Sequence, residues 1–261
     1  MSEGAASLTD DAFLGGALNI LQPRQGYRAG LDAVLLAAAC GARAGEGARV
    51  LDGGAGVGVA GLCVARRIND AHVTLVEREP VLAEVARQNA ARNGLQERVR
   101  VLEMDIVEGG AALNRARGAD AGVAAGTFSH VIANPPYYAE GRGTRPPVNL
   151  KAAAHQMAEG ALEQWCRFLA TAAANDGLVT VIHRAEAMAA VLEGLGRRFG
   201  ALRVLPIYSR AGTAAHRIIV QGRKGSRAPL SLQQGLVLHG DGNAFVPAID
   251  AVLRHGAALD W

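Results

Sequence analysis

An α/β protein built on a mostly parallel, doubly wound sheet is the fold that this sequence predicts. Strand-like apolar runs alternate with helix-like segments from about residue 48 onward, and this alternation is typical of a parallel sheet covered by helices on both faces. Half of the 261 residues are apolar while only 4% are aromatic, so the core is expected to consist mainly of Ala, Val and Leu. The length fits one large domain.

Seven short apolar runs carry the strand signal, each bounded by glycine, proline or polar residues. They lie at 49–51, 72–76, 99–102, 128–133, 178–182, 202–208 and 216–221. The intervening helices are predicted at 57–68, 80–93, 152–174 and 185–199. No helix separates the last two strands, so an antiparallel strand is expected near the C-terminus.

Smaller elements are expected on both sides of this alternating core. Two strand-like pieces at 18–21 and 25–28 predict an N-terminal hairpin, and the apolar run 31–40 predicts a buried helix. After residue 222 the sequence predicts a short strand at 236–238 and a terminal helix at 248–254.

The cysteines, histidines and charges argue against several classes of protein. The three cysteines are far apart in apolar surroundings and the seven histidines are scattered, so neither a disulfide framework nor a metal site is expected. Residues 1–11 are acidic, and no apolar run approaches the roughly 18 residues that span a bilayer. These features predict a cytoplasmic protein without a membrane segment. The net charge of +3 is only a weak indication of a polyanionic partner.

A glycine-rich loop, residues 52–58, follows the first strand and leads into a helix. Glycines there let the backbone turn tightly and approach a ligand at the helix N-terminus. Gly56, Gly58 and Gly61 match the dinucleotide fingerprint, and Glu77 at the end of the second strand is placed to hold a ribose. A nicotinamide-dependent oxidoreductase is therefore one interpretation.

The same loop has the spacing of S-adenosylmethionine (SAM) loops, because Asp52 is followed by Gly54, Gly56 and Gly58 at alternate positions. A carboxylate would repel a pyrophosphate, whereas it attracts the ammonium group of SAM, directly or through water. The chemistry of Asp52 favours SAM over a dinucleotide, and the loop alone leaves both open.

Acidic side chains follow the second and third strands. Glu77 is expected to accept hydrogen bonds from ribose hydroxyls, and Asp105 from an adenine amino group. Either residue alone is typical of a solvated loop. Their positions after consecutive strands favour a common ligand site, because open α/β sheets bind ligands at the carboxyl ends of their strands.

Asn134-Pro135-Pro136-Tyr137 follows the fourth strand and is the candidate acceptor site. The prolines remove two backbone donors and stiffen the turn. The Asn134 side-chain oxygen and neighbouring carbonyls can then accept hydrogen bonds from an amino group, and Tyr137 offers a face for stacking. For this tetrapeptide alone, a simple strand-ending turn is the alternative.

In this order, the loop 52–58, Glu77, Asp105 and the tetrapeptide 134–137 resemble the motifs of class I SAM-dependent methyltransferases. The resemblance implies a Rossmann-like, doubly wound, seven-stranded sheet and SAM as the cofactor. The tetrapeptide resembles that of enzymes which methylate a planar amino nitrogen, such as adenine N6, cytosine N4 or the glutamine side-chain amide. Asn134, Pro135, Pro136 and Tyr137 are then expected to hold that amino group, with Asn134 also beside the cofactor.

A narrower resemblance lies largely outside this core. Residues 21–28, 32–37 and 221–225 are similar to the bacterial tRNA(Val) adenine-N6 methyltransferase family. This resemblance implies that Gly26, Tyr27 and Arg28 close over the cofactor and that Asp32 anchors the closure. It also implies a single methyltransferase domain over residues 1–261, with an N-terminal preamble to 47, a catalytic core over 48–222 and an extension from 223.

The substrate implied by this resemblance is RNA, and specifically tRNA. Two basic groups are expected to contribute phosphate contacts: Arg142, Arg145 and Lys151 near the acceptor site, and Arg223, Lys224 and Arg227 after the last core strand. The alternatives are N-methyltransferases for ribosomal RNA, DNA or a protein glutamine, the oxidoreductase, a small-molecule O-methyltransferase and a non-catalytic RNA-binding module. The sequence predicts no oligomeric state.

Overall fold

The computed structural model describes residues 8–25, 28–108, 113, 124–136 and 148–261. Within these ranges the strands are β1 (Leu8–Phe13), β2 (Leu18–Pro23), β3 (Arg49–Gly53), β4 (His72–Glu77), β5 (Val99–Glu103), β6 (Phe128–Ala133), β7 (Ala173–Arg184), β8 (Phe199–Arg210), β9 (Ala215–Lys224), β10 (Ser231–Leu232) and β11 (Leu236–His239). The helices are α1 (Leu31–Ala38), α2 (Val59–Arg67), α3 (Pro80–Arg92), α4 (Val148–Ala172), α5 (Met188–Gly196) and α6 (Pro247–His255).

The central sheet contains the seven predicted strands in the order β8-β9-β7-β6-β3-β4-β5. All neighbours are parallel except β9, which runs antiparallel to both β7 and β8. The connection from β8 to β9 is too short for a crossover, so the chain must reverse. Two short strands, β10 and β11, extend the sheet as parallel partners of β8. The predicted fold class is therefore confirmed. The sheet is wider than expected, because β10 and β11 lie beyond the seven predicted strands.

Helices cover both faces of the sheet, as the doubly wound topology requires. One apolar cluster includes α1, α2, α3 and α6, and the other includes α4 and α5. Ala, Val, Leu and Ile dominate both clusters, which is the core composition that the sequence predicts. Among the residues that the structure describes, no helix has the length and hydropathy needed to cross a membrane.

The N-terminal hairpin forms, but with a different partner strand from the one predicted. β2 pairs with β1, from Leu8↔Pro23 to Phe13↔Leu18; the predicted partner segment 25–28 includes Gly26 and Tyr27, which lie outside the described residues. In β1 half-buried residues alternate with exposed ones toward its end, which is a half-buried strand pattern. The connection between the two strands contains Gly15 and Gly16, both with positive φ.

The carboxyl ends of β5, β4, β3 and β6 lie side by side, because these four strands are parallel neighbours. This edge is called the carboxyl edge below. It brings together the segments that follow each strand, and these segments contain the motifs found in the sequence.

Candidate active site

A cavity of about 320 Å³ opens at the carboxyl edge. The predicted site residues that line it are Gly54, Gly56, Glu77, Asp105, Asn134 and Pro136. They come from the ends of four adjacent strands and are separated by up to 82 positions in the sequence. The fold thus assembles one site from motifs that were recognised separately.

The glycine loop is held in place by the neighbouring strand β4. The Gly56 N–H donates to Oε2 of Glu77 at 2.8 Å, and the Ala55 N–H donates to the Val76 carbonyl at 2.9 Å. Gly54 and Gly56 both have positive φ, at 67° and 57°, a conformation that favours glycine. The loop is therefore fixed before any ligand binds.

Glu77 accepts three backbone hydrogen bonds. Its Oε1 accepts from the N–H groups of Arg78 and Glu79, both at 2.9 Å, in addition to the Gly56 contact on Oε2. The residue is 8% exposed and lines the cavity. A carboxylate has about four acceptor positions, so Glu77 has capacity for about one further donor from a ligand.

Asp52 lies behind the glycine loop and does not line the cavity. Its Oδ2 accepts the Gly61 N–H at 2.9 Å in the first turn of α2, and the residue is 2% exposed. Burial raises the pKa of Asp52 to about 7; the Gly61 hydrogen bond opposes this shift and the Glu77 charge adds to it. Asp52 therefore titrates near neutral pH.

This pKa gives a test in the free protein, the substitution Asp52→Asn. Since the Asp52 pKa is raised from about 4 to about 7, the folded state binds the proton more tightly than the unfolded state. Stability therefore falls as pH rises from about 4 to about 7 and is level above that range. An Asn side chain keeps an acceptor for the Gly61 N–H without ionising. Thermal unfolding should show the variant more stable than the parent at pH 8.5, by on the order of a few kcal/mol, with the difference shrinking as the pH is lowered toward about 4. A stability difference independent of pH would contradict the assignment.

Asp105 and Asn134 line the cavity after the ends of β5 and β6. Asp105 is half-buried and its Oδ1 accepts the Val107 N–H at 2.8 Å. Asn134 follows β6 and is half-buried, Pro135 is buried and Pro136 is exposed. Asn134 and Pro136 thus form the wall of the cavity at the end of β6.

The residues expected to close over the cofactor lie elsewhere or outside the described residues. Arg28 pairs with Asp11 at 2.6 Å and donates to Thr9 on the hairpin, and Asp32 pairs with Arg217 of β9 at 2.9 Å. Neither Arg28 nor Asp32 lines the described cavity. Gly26, Tyr27 and Tyr137 lie outside the described residues, as do Arg142, Arg145 and the side chain of Lys151.

Trp165 of α4 is a cavity residue that the sequence analysis missed. It is 7% exposed and lines the cavity with Gly54, Asn134 and Pro136. A Cβ placed on Gly54 would lie 2.3 Å from Cη2 of Trp165, so the indole ring packs directly against the glycine loop. No local pattern identifies Trp165, because it reaches the site through the packing of α4 on the sheet.

Asn89 of α3 was also missed, although a signal existed. It is fully buried, and its side chain forms reciprocal hydrogen bonds with the backbone N–H (2.8 Å) and carbonyl (3.0 Å) of Leu21 in β2. Its Nδ2 also donates to the carbonyl of Val57 in the glycine loop at 3.0 Å. A polar residue among the buried alanines of α3 is the pattern that could have revealed this role.

Asn93, the residue that caps the C-terminal end of α3, forms the same reciprocal pair with Asn19 of β2, with both bonds at 2.9 Å. Four helical residues and two strand residues each advance about 6–7 Å, so the two amides match the spacing of alternate strand residues. Asn89 and Asn93 therefore fix the hairpin to α3, and Asn89 alone also contacts the glycine loop.

The basic group at the end of β9, which is Arg223, Lys224 and Arg227, does not line this cavity. Arg223 pairs in register with Leu178 and Lys224 with Phe199, near the amino ends of the parallel strands. The Lys224 Nζ donates to the carbonyls of Ala170 and Ala173 at 2.7 Å each, which stabilises the end of α4. Within the described ranges, no group of three His, Cys, Asp or Glu side chains could hold a metal ion.

Comparison with known proteins identifies the family. The family model described as the methyltransferase small domain matches residues 32–164, just over half of the chain. The chain belongs to this family. The matched range includes the glycine loop, Glu77, Asp105 and Asn134, and of the described cavity residues only Trp165 of α4 lies beyond it, by one position.

Two curated relatives illustrate the acceptors known in related proteins. A tRNA1(Val) (adenine(37)-N6)-methyltransferase from Shewanella amazonensis is 28% identical over 63% of this chain and 64% of its own length. A release factor glutamine methyltransferase from Chlorobaculum tepidum is 34% identical over 40% of this chain and 32% of its own length. The chain thus matches less than two thirds of either relative.

A solved structure extends the similarity along most of the chain. Protein Atu636 from Agrobacterium tumefaciens, described as a predicted O-methyltransferase, is 32% identical with a TM-score of 0.71. The match covers 87% of this chain and 98% of that one. Together with the strand order, it shows that the fold is that of class I methyltransferases.

Proposed function

We propose that this protein is a SAM-dependent methyltransferase that transfers a methyl group to a planar exocyclic amino nitrogen, adenine N6 of a tRNA. The proposal rests on one observation: Glu77 and Asp105 line the same cavity as Asn134. One cavity thus offers acceptors for the cofactor and acceptors for an amino group.

The described residues fit SAM better than a dinucleotide. In a dinucleotide site the loop N–H groups bind the pyrophosphate. Here the N–H groups of Gly56, Gly58 and Gly61 already donate to Glu77, Ala55 and Asp52. A pyrophosphate would also meet the cavity-lining carboxylates of Glu77, Glu79 and Asp105, whereas a cationic ligand with hydroxyl groups suits them.

Each residue then has a defined role in holding the cofactor. Glu77 would accept a ribose hydroxyl with its remaining capacity, and Asp105 would accept from the adenine amino group. Gly54 and Gly56 form the surface against which the methionine portion packs. Asp52 acts from behind the loop, since it holds α2 through Gly61 and supplies negative charge toward the ammonium group.

Asn134 is the central residue of the acceptor site. An exocyclic amine of adenine is a weak nucleophile because its lone pair is delocalised into the ring. Accepting its two N–H groups at the Asn134 side-chain oxygen and the Pro135 carbonyl favours a pyramidal nitrogen with an available lone pair. The methylated nitrogen is cationic and loses a proton easily, so no general base is required before attack.

Orientation would contribute most of the rate enhancement. Bound SAM supplies an electrophilic methyl group on its sulfonium. The chain's part is to hold the acceptor nitrogen in line and to exclude water, an effect worth about 7–11 kcal/mol in well-oriented reactions. Trp165, buried against Gly54, and Pro136 would limit the positions that the acceptor can adopt.

RNA is the acceptor that the relatives favour, and a protein glutamine is the second candidate. The tRNA relative covers more of this chain than the glutamine relative, and the segments 21–28 and 221–225 resemble the tRNA enzymes. A glutamine amide presents a similar planar amino group, so the Asn134 wall alone suits both acceptors.

Transfer of labelled methyl groups from SAM tests this function. The protein is incubated with labelled SAM and, separately, with tRNA, ribosomal RNA, DNA and protein fractions from cells. We expect label in the tRNA fraction. Label only in protein would establish the glutamine candidate instead, and no SAM binding together with NAD binding would overturn the whole assignment.

Asn89→Ala tests the connection between the hairpin and the glycine loop. The substitution removes the bond to the Val57 carbonyl, and one hydrogen bond of about 1–1.5 kcal/mol corresponds to roughly a tenfold weaker affinity for SAM. Asn93→Ala is the matched control, because it removes the same kind of hairpin pair but no loop contact. Both variants should unfold at lower temperature, while calorimetry should show weaker SAM binding only for Asn89→Ala. Equal SAM affinities in the two variants would count against this role.

A further inference from the structure

A second, larger groove of about 810 Å³ lies at the opposite edge of the sheet. It is lined by Ser129 and His130 near the start of β6, by residues 174–178 of β7 and by Gln221 and Arg223 near the end of β9. Ser129 and His130 precede Asn134 by five and four residues of extended chain, so roughly 13–17 Å separates this edge from Asn134. This amino-edge groove is therefore distinct from the candidate active site.

Four arginines line the amino-edge groove without an ion pair to any residue that the structure describes. These are Arg43, Arg67, Arg203 and Arg223. Elsewhere ten arginines pair with carboxylates, but none of these four pairs with a carboxylate of the described residues. Three of them have neutral partners: the Ala37 carbonyl for Arg67, the Asp176 backbone carbonyl for Arg223 and the Trp261 ring for Arg203.

The half-buried arginines supply the longest-range charge of the groove. Glu46, Asp176 and Asp260 also line it, and all three are exposed, as are Arg43 and Arg223, so water and salt screen these five charges. Arg67 and Arg203 are half-buried, where charge acts over a longer range. Burial lowers the pKa of His130, which therefore adds little positive charge near neutral pH.

The remaining lining groups suit a nucleic acid better than a single small anion. The Arg203 guanidinium lies over the Trp261 ring at 4.6 Å from its centroid, and the exposed Asn175 is part of the same lining. Guanidinium planes and aromatic rings stack on unpaired bases, while arginines bind phosphates. A volume of 810 Å³ also exceeds what one phosphate would occupy.

From these observations we propose that the amino-edge groove binds the sugar–phosphate backbone of the RNA substrate, at a segment remote from the base held at Asn134. The proposal rests on the proposed function, since it assigns a second contact region to the same RNA. It also gives a role to Arg223, which lies away from the cavity. An RNA too short to extend from the active site to the amino-edge groove would therefore lack this contact.

The double variant Arg203→Gln/Arg223→Gln tests the groove, with binding of tRNA measured at several salt concentrations. Each lost phosphate contact should reduce the slope of log affinity against log salt by about 0.7–0.9, so the double variant should lose about 1.5 and bind roughly tenfold more weakly at low salt. SAM affinity should stay unchanged. The charge-retaining Arg203→Lys/Arg223→Lys should recover most of the slope.

Arg87→Gln/Arg254→Gln is the matched control, because it removes the same charge from two exposed helical ion pairs. This variant should keep the parent's salt dependence. If the groove variant and the control bind tRNA equally while the parent methylates tRNA, the groove proposal is wrong and the proposed function stands. If the parent neither binds nor methylates RNA, both fail together. Loss of RNA binding in the control as well would show a non-specific charge effect and overturn the groove.

Discussion

Replacement of Asn134 by alanine is expected to remove methyl transfer while leaving SAM binding nearly intact. Asn134 belongs to the β6 end of the cavity, whereas Glu77 and the glycine loop form the side proposed to hold the cofactor. Loss of a preorganised hydrogen-bonding group that acts on the reacting atoms costs about 10²–10³ in rate. Single-turnover rates and equilibrium SAM binding, measured on the same preparation, separate the two effects.

Asn134→Asp provides the discriminating comparison. Aspartate keeps an acceptor oxygen at this position, so the variant should retain more activity than Asn134→Ala. Full turnover by the alanine variant would contradict the assigned role. A parallel loss of SAM affinity and of rate in both variants would instead indicate that Asn134 shapes the cofactor site.

Replacement of Gly54 by alanine should have the largest effect on the cofactor side. Gly54 has a φ of 67°, and a Cβ there would lie 2.3 Å from Cη2 of Trp165. The left-handed conformation and the clash should together cost roughly 2–4 kcal/mol of unfolding free energy. Because the loop must move to relieve the clash, SAM affinity should fall by more than about tenfold. Thermal unfolding and calorimetric titration measure the two consequences.

Gly53→Ala is the control for this substitution. Gly53 has no positive φ, and a Cβ there would lie 3.5 Å from the nearest atom, Cδ2 of Leu169, which is an ordinary contact. This neighbouring variant should keep both its stability and its SAM affinity. If Gly54→Ala behaved like Gly53→Ala, Trp165 would not constrain the loop as the structure indicates.

Local sequence patterns predicted the elements that appear as short apolar runs, and the direction of one strand that follows from the length of a connection. All seven core strands were identified, because buried parallel strands are short apolar runs between breakers. The antiparallel direction of β9 was predicted from the short connection between β8 and β9. Glu77, Asp105 and Asn134 were placed in one cavity for the same reason, since parallel neighbours bring their carboxyl ends to one edge.

Features that depend on packing between distant elements were not predicted. Trp165 reaches the cavity only because α4 lies across the sheet, and Asn89 joins the hairpin to the loop across 68 and 32 positions of sequence. The pairing of β2 with β1 was not predicted, because residues 8–13 include Asp10 and Asp11 and form no continuous apolar run. The position of Arg223 and Lys224 at the amino edge was not predicted either, although it follows from the antiparallel direction of β9.

The central claim is that the site at Asn134 methylates a planar amino group of RNA, and nucleoside analysis tests it most directly. tRNA treated with the parent protein and labelled SAM is digested to nucleosides and examined by mass spectrometry, with Asn134→Ala run in parallel. The account predicts labelled N6-methyladenosine with the parent and none with Asn134→Ala. A label on a ribose hydroxyl or a ring carbon, or N6-methyladenosine formed equally by both proteins, would contradict it.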